Sequence, residues 1–260
     1  MGGGVTTSAI RILTCRGRGC IISLVTETQY RLHGRMSEPT PKAELFQHFA
    51  RVGKVLASPS RLLLLDLLSQ AEKPVDRLAE QAGLSVSNTS NHLRELRAAS
   101  LVTSRRDGQW IYYRLSGPAV GRLVRGLQDV AYKHLAEVRE LVRDFYEDPD
   151  ALEALDAETL YRRLQEEDMV VLDVRPEDEH AAGHIPGAFS VPLEDLDRRL
   201  GDLPRDREIV AYCRGRFCLF ARQAVERLRA EGFRALRMED GVAEWEERGY
   251  RVAVGAEGDV

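Results

Sequence analysis

The sequence predicts two dissimilar modules in tandem: an α+β unit of short helices closed by a β-hairpin, then an α/β unit whose parallel sheet is flanked by helices. Three observations predict this. The chain has 260 residues, enough for two cores at roughly 100 to 150 residues each. From residue 42 to 100 apolar residues recur at helical spacing, and strand-like runs then flank Asp107-Gly108. Beyond residue 150, short Val- and Ile-rich runs alternate with helical stretches, as strands with crossover helices do. The composition is that of a globular protein, with 43% hydrophobic and 30% charged residues, which excludes disordered and fibrous classes. No run approaches the roughly 18 to 20 apolar residues of a membrane helix, so no membrane partner is expected.

Four cysteines, Cys15, Cys20, Cys213 and Cys218, are too few and too clustered for a disulfide framework, which favours a reducing, cytoplasmic setting. The net charge of −4 argues against nucleic-acid binding only as a whole-chain sum. Residues 1–35 carry five arginines and one glutamate, for +4; residues 36–150 are at +1 and residues 151–260 at −9. Residues 1–35 show no sustained period and read as a disordered or misannotated extension, with Met36 the expected start. Cys15 and Cys20 are either a redox or half-metal pair or carry no chemistry; two cysteines alone make a poor zinc site.

In the first module, Leu45, Phe46, Phe49, Val52, Val55 and Leu56 form one apolar helical stripe that ends at Ser58-Pro59. A second helix, about 60–70, is apolar over much of its surface. After a break at Lys73-Pro74 come a helix over 75–82, then Gly83, then a helix over 85–99 opened by Ser85 as N-cap. Two short helices joined through a glycine turn are a helix-turn-helix. The second of them exposes Ser85, Ser87, Asn88, Asn91, His92 and Arg94, short hydrogen-bonding groups suited to base edges and phosphates. Strands over 101–105 and 109–115 then flank Asp107-Gly108, a hairpin signal. This wing brings Arg105, Arg106, Gln109 and Tyr112 as further DNA-contact candidates. A long helix over 118–147 follows, with a stripe from Val120 to Leu141 that one small domain cannot bury.

The segment 41–148 resembles the ArsR family of winged-helix bacterial repressors. The resemblance rests on Lys54-Val55-Leu56-Ala57-Ser58-Pro59-Ser60-Arg61, Leu78 to Ser85, Asn91-His92-Leu93-Arg94-Glu95-Leu96 and Tyr112-Tyr113-Arg114-Leu115. It implies a homodimer whose two recognition helices enter successive major grooves of double-stranded palindromic operator DNA. Many members bind metals, but Pro74 and Asp76 stand where one metal site would place cysteines. At the other, His134 and Glu137 match one half only, facing Gly117 and Ala119. No metal site is expected, and no cofactor.

In the second module, Val170–Val174 and Ile209–Tyr212 are buried-strand patterns, with helices expected over 193–200 and 221–231. Cys213-Arg214-Gly215-Arg216-Phe217-Cys218 runs from the second strand into a helix, at the carboxyl end where open α/β sheets bind ligands. Loop amides and two arginines there would make an anion cradle and lower a thiol pKa. Together with Asp173-Val174-Arg175, Glu179, Gly183 to Ala188, Gly241 to Trp245 and Gly249-Tyr250, the stretch 155–253 is similar to the rhodanese sulfurtransferase domain. That resemblance implies that Cys213 carries sulfur as a persulfide taken from a sulfane-sulfur donor such as thiosulfate or a persulfide. It places Asp173 and Arg175 near the loop, as a salt link or as catalytic groups, and His184 in support of a turn. The loop departs from the family in having Gly215 third, Arg216 fourth and Cys218 sixth. Cys218 is either a partner of the Cys213 persulfide or a core residue.

The expected architecture is thus an α+β winged helix-turn-helix domain (36–148) followed by an α/β rhodanese-like domain (149–260) with its parallel sheet flanked by helices. The expected function is a DNA-binding transcriptional repressor that senses or transfers sulfane sulfur. The alternative is a sulfurtransferase in which the winged helix serves mainly for dimerisation.

Overall fold

The computed structural model describes residues 40–145, 154–166 and 169–255. Residues 1–35, with Cys15 and Cys20, lie outside them. His48–Val260 forms one compact unit holding both modules, and of the unit before it the described part is 40–47, within the first helix.

The first module is α1 (Pro41–Leu56), α2 (Pro59–Gln70), β1 (Lys73–Pro74), α3 (Val75–Ala82), α4 (Val86–Ala98), β2 (Val102–Asp107), β3 (Trp110–Leu115), α5 (Pro118–His134) and α6 (Ala136–Phe145). Its core gathers Leu64, Leu65, Leu68, Leu78, Leu93 and Leu96, all nearly inaccessible, each stabilising by about 1.5 to 3 kcal/mol relative to exposure. Pro59 at the start of α2 costs nothing, because a first-turn N–H has no helical partner. Ser85 caps α4 as expected, its hydroxyl accepting from Asn88 N at 3.2 Å. Gly83 ends α3 at φ +64°, the left-handed turn between the two helices that other residues adopt at a cost.

Three details differ from the sequence reading. The hairpin pairs Asp107 with Trp110, so the reversal falls at Gly108-Gln109, one residue later than Asp107-Gly108. The Lys73-Pro74 break is itself a strand, since Lys73 pairs with Tyr113 and Pro74 with Tyr112. The helix expected over 118–147 breaks at Leu135, whose φ of −99° and ψ of 118° are extended; its predicted end, 146–147, lies outside the described residues. No proline or glycine marks that break. Arg139 stabilises it by donating to the carbonyl of Lys133 at 2.9 Å, and Val142 turns inward in α6.

The second module is β4 (Ala154–Leu155), α7 (Ala157–Glu166), β5 (Met169–Asp173), α8 (Glu177–Ala182), β6 (Phe189–Ser190), α9 (Leu196–Arg199), β7 (Glu208–Tyr212), α10 (Phe220–Ala230), β8 (Ala235–Met238) and α11 (Val242–Glu247). The sheet order is β4-β8-β7-β5-β6, all pairs parallel. The long helix expected over 193–200 is only the four-residue α9 followed by a 3₁₀ turn over Leu200–Asp202. One apolar cluster lies on each face of the sheet: Leu172, Ile209 and Leu228 in one, Leu160, Val210 and Trp245 in the other.

The carboxyl ends of β5 and β7 are joined by a buried polar network. Asp173 accepts from Arg175 Nη2 at 2.6 Å, from the Tyr212 hydroxyl at 2.8 Å and lies 3.1 Å from His180 Nδ1. Arg175 Nη2 also donates to the Gly183 carbonyl at 2.7 Å, and His184 stacks on His180 with its Nδ1 2.9 Å from the His180 carbonyl. Burial alone would raise the Asp173 pKa, but the bonds from Arg175, His180 and Tyr212 outweigh it and hold the carboxyl at about 2. Because this lies below the unfolded value near 3.8, the network stabilises the fold above that pH, and the contribution is lost as pH falls through about 2. Asp173→Asn leaves Arg175 buried without its counter-charge and is expected to lower the unfolding free energy by about 3 to 5 kcal/mol. Urea denaturation at neutral pH checks this, and wild-type stability should decline between pH 4 and 2.

Candidate functional site: the cysteine loop and the nucleic-acid face

β7 is flanked by neighbours on both sides, so its end is fixed, and the chain leaves it through Cys213–Leu219 into α10. Cys213 sits in the core, 2% exposed. Cys218 is only partly buried, and its amide closes a turn onto the Gly215 carbonyl at 3.1 Å. The loop is pinned from behind by Gly241, at the start of α11. A β-carbon on Gly241 would come within 2.8 Å of the Arg214 carbonyl carbon and 2.9 Å of Gly215 N, so only glycine lets the two segments approach this closely.

The loop amides take the part expected of them, those of Gly215 and Ala221 lowering the Cys213 pKa and those of Arg214 and Phe220 lowering that of Cys218. The arginines do not. Arg214 is drawn onto Glu179, donating through Nε at 2.8 Å and Nη2 at 2.6 Å. Arg216 lies over the Tyr132 ring, 4.8 Å from its centre, and 3.8 Å from Glu239. Phe217 meets the same tyrosine edge-on. The expectation of a depressed Cys213 thiol is also corrected. Complete burial, with a hydrogen bond toward Cys218, pushes Cys213 well above the ordinary thiol range. Cys218, which receives that bond and those of the amides, is lowered to about 7. Cys213 Sγ also lies 3.5 Å from the Cys218 carbonyl oxygen.

The loop faces a cleft of about 430 Å³ whose opposite wall belongs to the first module, through Asp66, Gln128 and Arg125. Cys218 lines it; Cys213 does not. Gln128 donates to Asp66 at 3.3 Å, and burial raises the Asp66 pKa. Asp173 and Arg175, grouped with the loop by the sequence reading, stand apart from this cleft in the network described above.

Glu179 had no role in the sequence reading beyond its place in a motif, yet it is wholly buried and shared. Besides Arg214 it holds Lys73 Nζ at 3.1 Å, and Lys73, also wholly buried, reaches Asp178 at 2.6 Å. Arg175 Nη1 adds a bond to Gln70 Oε1 at 3.2 Å. Nothing local distinguishes Lys73 or Glu179 in the sequence; only the fold brings together residues 106 positions apart.

On the first module, Ser85, Ser87, Asn88, Asn91 and Arg94 are exposed along α4, and His92 is half-buried. At the wing, Arg106 and Gln109 are exposed, and Arg106 has no acidic partner among the described residues, its Nε donating to the Gly108 carbonyl. Arg105 is instead held by Glu72 at 2.8 Å and Asp107 at 2.9 Å and stacks on Tyr112. Among the described residues no three His, Cys, Asp or Glu side chains cluster as metal ligands, and no helix is long and apolar enough to cross a membrane.

Fold and loop define a winged helix-turn-helix protein carrying a rhodanese-like module. The rhodanese-like domain family matches residues 156–248, and the bacterial regulatory protein arsR family matches residues 58–104. The HTH-type transcriptional regulator Rv0324 of Mycobacterium tuberculosis is 42% identical over 215 residues, which are 83% of this chain and 94% of that protein. A sulfurtransferase of Allochromatium vinosum is 34% identical over 100 residues, 38% of this chain and 92% of its own. Among solved structures, the homodimeric winged helix-turn-helix DNA-binding domain of a possible ArsR-family regulator from Mycobacterium bovis is 40% identical. It covers 39% of this chain and 94% of its own, with a TM-score of 0.36. The chain belongs to the family of HTH-type transcriptional regulators that join an ArsR-type winged helix to a rhodanese-like domain.

The two loop thiols should titrate unequally. In a Cys15→Ser/Cys20→Ser background, thiolate absorbance is expected to rise by one thiolate with a midpoint near pH 7, and Cys218→Ser should abolish that step while Cys213 stays protonated well into the alkaline range.

Proposed function

We propose that this protein is a DNA-binding transcriptional repressor that reads sulfane sulfur at its rhodanese-like loop. The DNA-binding and dimerisation module spans 36–148 and the sulfur module 149–260, and the protein works in the cytoplasm as a homodimer on double-stranded operator DNA. The observation that carries the sensing part is the shared carboxylate of Glu179, which ties Arg214, the neighbour of Cys213, to Lys73. Lys73 lies in β1, paired to the wing strand β3. A change at the cysteine loop that moves Arg214 leaves the buried Glu179 with Lys73 as its remaining cation, and an incompletely paired buried charge costs several kcal/mol. The wing strand is therefore coupled to the sulfur state of the loop. A sulfur donor such as thiosulfate or a persulfide acts as the inducer, and Cys213 is the carrier to which the resemblance assigns the persulfide.

Support for the DNA face comes from the exposed polar side of α4 and from Arg106, which has no acidic partner among the described residues. Support for the dimer comes from apolar side chains left exposed on α5 and α6, Leu123, Leu127, Val130 and Leu141 among them, more than an isolated surface helix carries. A cleft walled by the DNA-binding module suits a small inducer and a reporting role better than a turnover enzyme with a freely open site.

Two measurements test this. In a gel shift with the protein's own upstream region, polysulfide is expected to weaken binding by roughly tenfold, an ordinary allosteric coupling. Cys213→Ser should bind DNA without sulfur yet lose the response; binding indifferent to sulfur in the wild type removes the sensor. Arg106→Ala should weaken binding across sequences and reduce the salt slope by about one; an unchanged slope takes Arg106 off the contact face.

A further inference from the structure

The family resemblance assigns the sulfur to Cys213, yet the cleft reaches the other thiol. Cys213 is 2% exposed and absent from the cleft wall, whereas Cys218 lines it. Cys213 Sγ lies 3.5 Å from the Cys218 carbonyl oxygen, so the two cysteines meet within one turn of the loop. A donor entering past Asp66, Gln128 and Arg125 therefore meets Cys218 first.

We propose that Cys218 is the entry thiol of this site: it takes the sulfane sulfur from a small anionic donor and hands it inward to Cys213. This rests on the reading that Cys213 is the sulfur carrier. In the first step the Cys218 thiolate attacks the outer sulfur of the donor. With thiosulfate, the new bond is Cys218 Sγ to that sulfur, the sulfur–sulfur bond of thiosulfate breaks, and its electron pair leaves with sulfite. In the second step the Cys213 sulfur attacks the same outer sulfur. The Cys218 bond to it breaks, the Cys218 sulfur departs with that electron pair, and the proton of Cys213 passes to the departing sulfur. The outer sulfur keeps its oxidation state throughout, so neither step needs an oxidant or a reductant. Cys218 near its titration midpoint at neutral pH supplies the attacking thiolate, and it is also a competent leaving group for the hand-over.

The experiment is a time course of sulfur uptake from thiosulfate by the full chain in the Cys15→Ser/Cys20→Ser background. Intact mass and peptide mapping after persulfide capping identify the loaded cysteine. Cys213→Ser is expected to gain one sulfur on Cys218 at the wild-type rate and keep it there, while Cys218→Ser loads Cys213 at least roughly tenfold more slowly, in proportion to the lost thiolate and access. The wild type should carry the sulfur on Cys213 with sulfite released one for one. Wild-type loading rates in Cys218→Ser, or no sulfur on Cys218 in Cys213→Ser, overturn the entry role. Loss of two hydrogens with release of sulfide in the wild type overturns the hand-over, since the thiols have then closed a disulfide. If no form of the chain gains sulfur, it is the carrier reading of Cys213 that fails. Equal thermal unfolding of the two variants and wild type, measured alongside, separates these outcomes from a folding defect.

Discussion

A single buried carboxylate, that of Glu179, holds the working parts of this protein in register. It is wholly inaccessible and is shared by Lys73 from the winged helix and Arg214 from the cysteine loop. Removing charges from water costs several kcal/mol each, and the cost is offset only when the pairing is complete. That condition makes the arrangement intolerant of partial change. Either both cations stay where they are, or the carboxylate must find new partners or take up a proton. Arg175, bonded both to Asp173 and to Gln70 of α2, gives the same junction a second fixed point, anchored in the sheet.

The loop inherits its geometry from that junction. With Arg214 committed to Glu179 of α8 and Arg216 spread over Tyr132 of the first module, the cations expected around the sulfur are turned to other partners. Burial raises the Cys213 thiol, while the bond from Cys213, the loop amides and the charge of Arg214 lower that of Cys218. Cys213 continues a central strand and is dry; Cys218 lies where the loop surfaces into the cleft. The close approach of Gly241 behind Arg214 and Gly215 leaves the loop little room to relax backward.

Much of this architecture was legible in the sequence because it follows from local rules. The helix-turn-helix, its Ser85 cap, the wing and the strand-to-loop position of Cys213 each depend on period, capping or turn chemistry within a few residues. Where the reading failed, the deciding interaction was distant or weakly encoded. The two-residue strand at Lys73 exists only because β3 is there to pair with it. Leu135 interrupts a sequence with no helix breaker because Arg139 satisfies the carbonyls released there. The short strands β4, β6 and β8 have too few residues for alternation to show; β6 forms on the edge of β5, β8 on that of β7, and β4 on that of β8.

The sequence by itself determined the two modules, their order, the polar face of the recognition helix and the presence of two cysteines in one loop, since each is written in contiguous residues. Only the tertiary structure decided which cysteine meets the cleft, where the loop arginines go and that Lys73 of the first module pairs with Glu179 of the second. The physical reason is that burial and charge pairing are properties of a place, and residues far apart along the chain acquire that place only when two modules close upon each other.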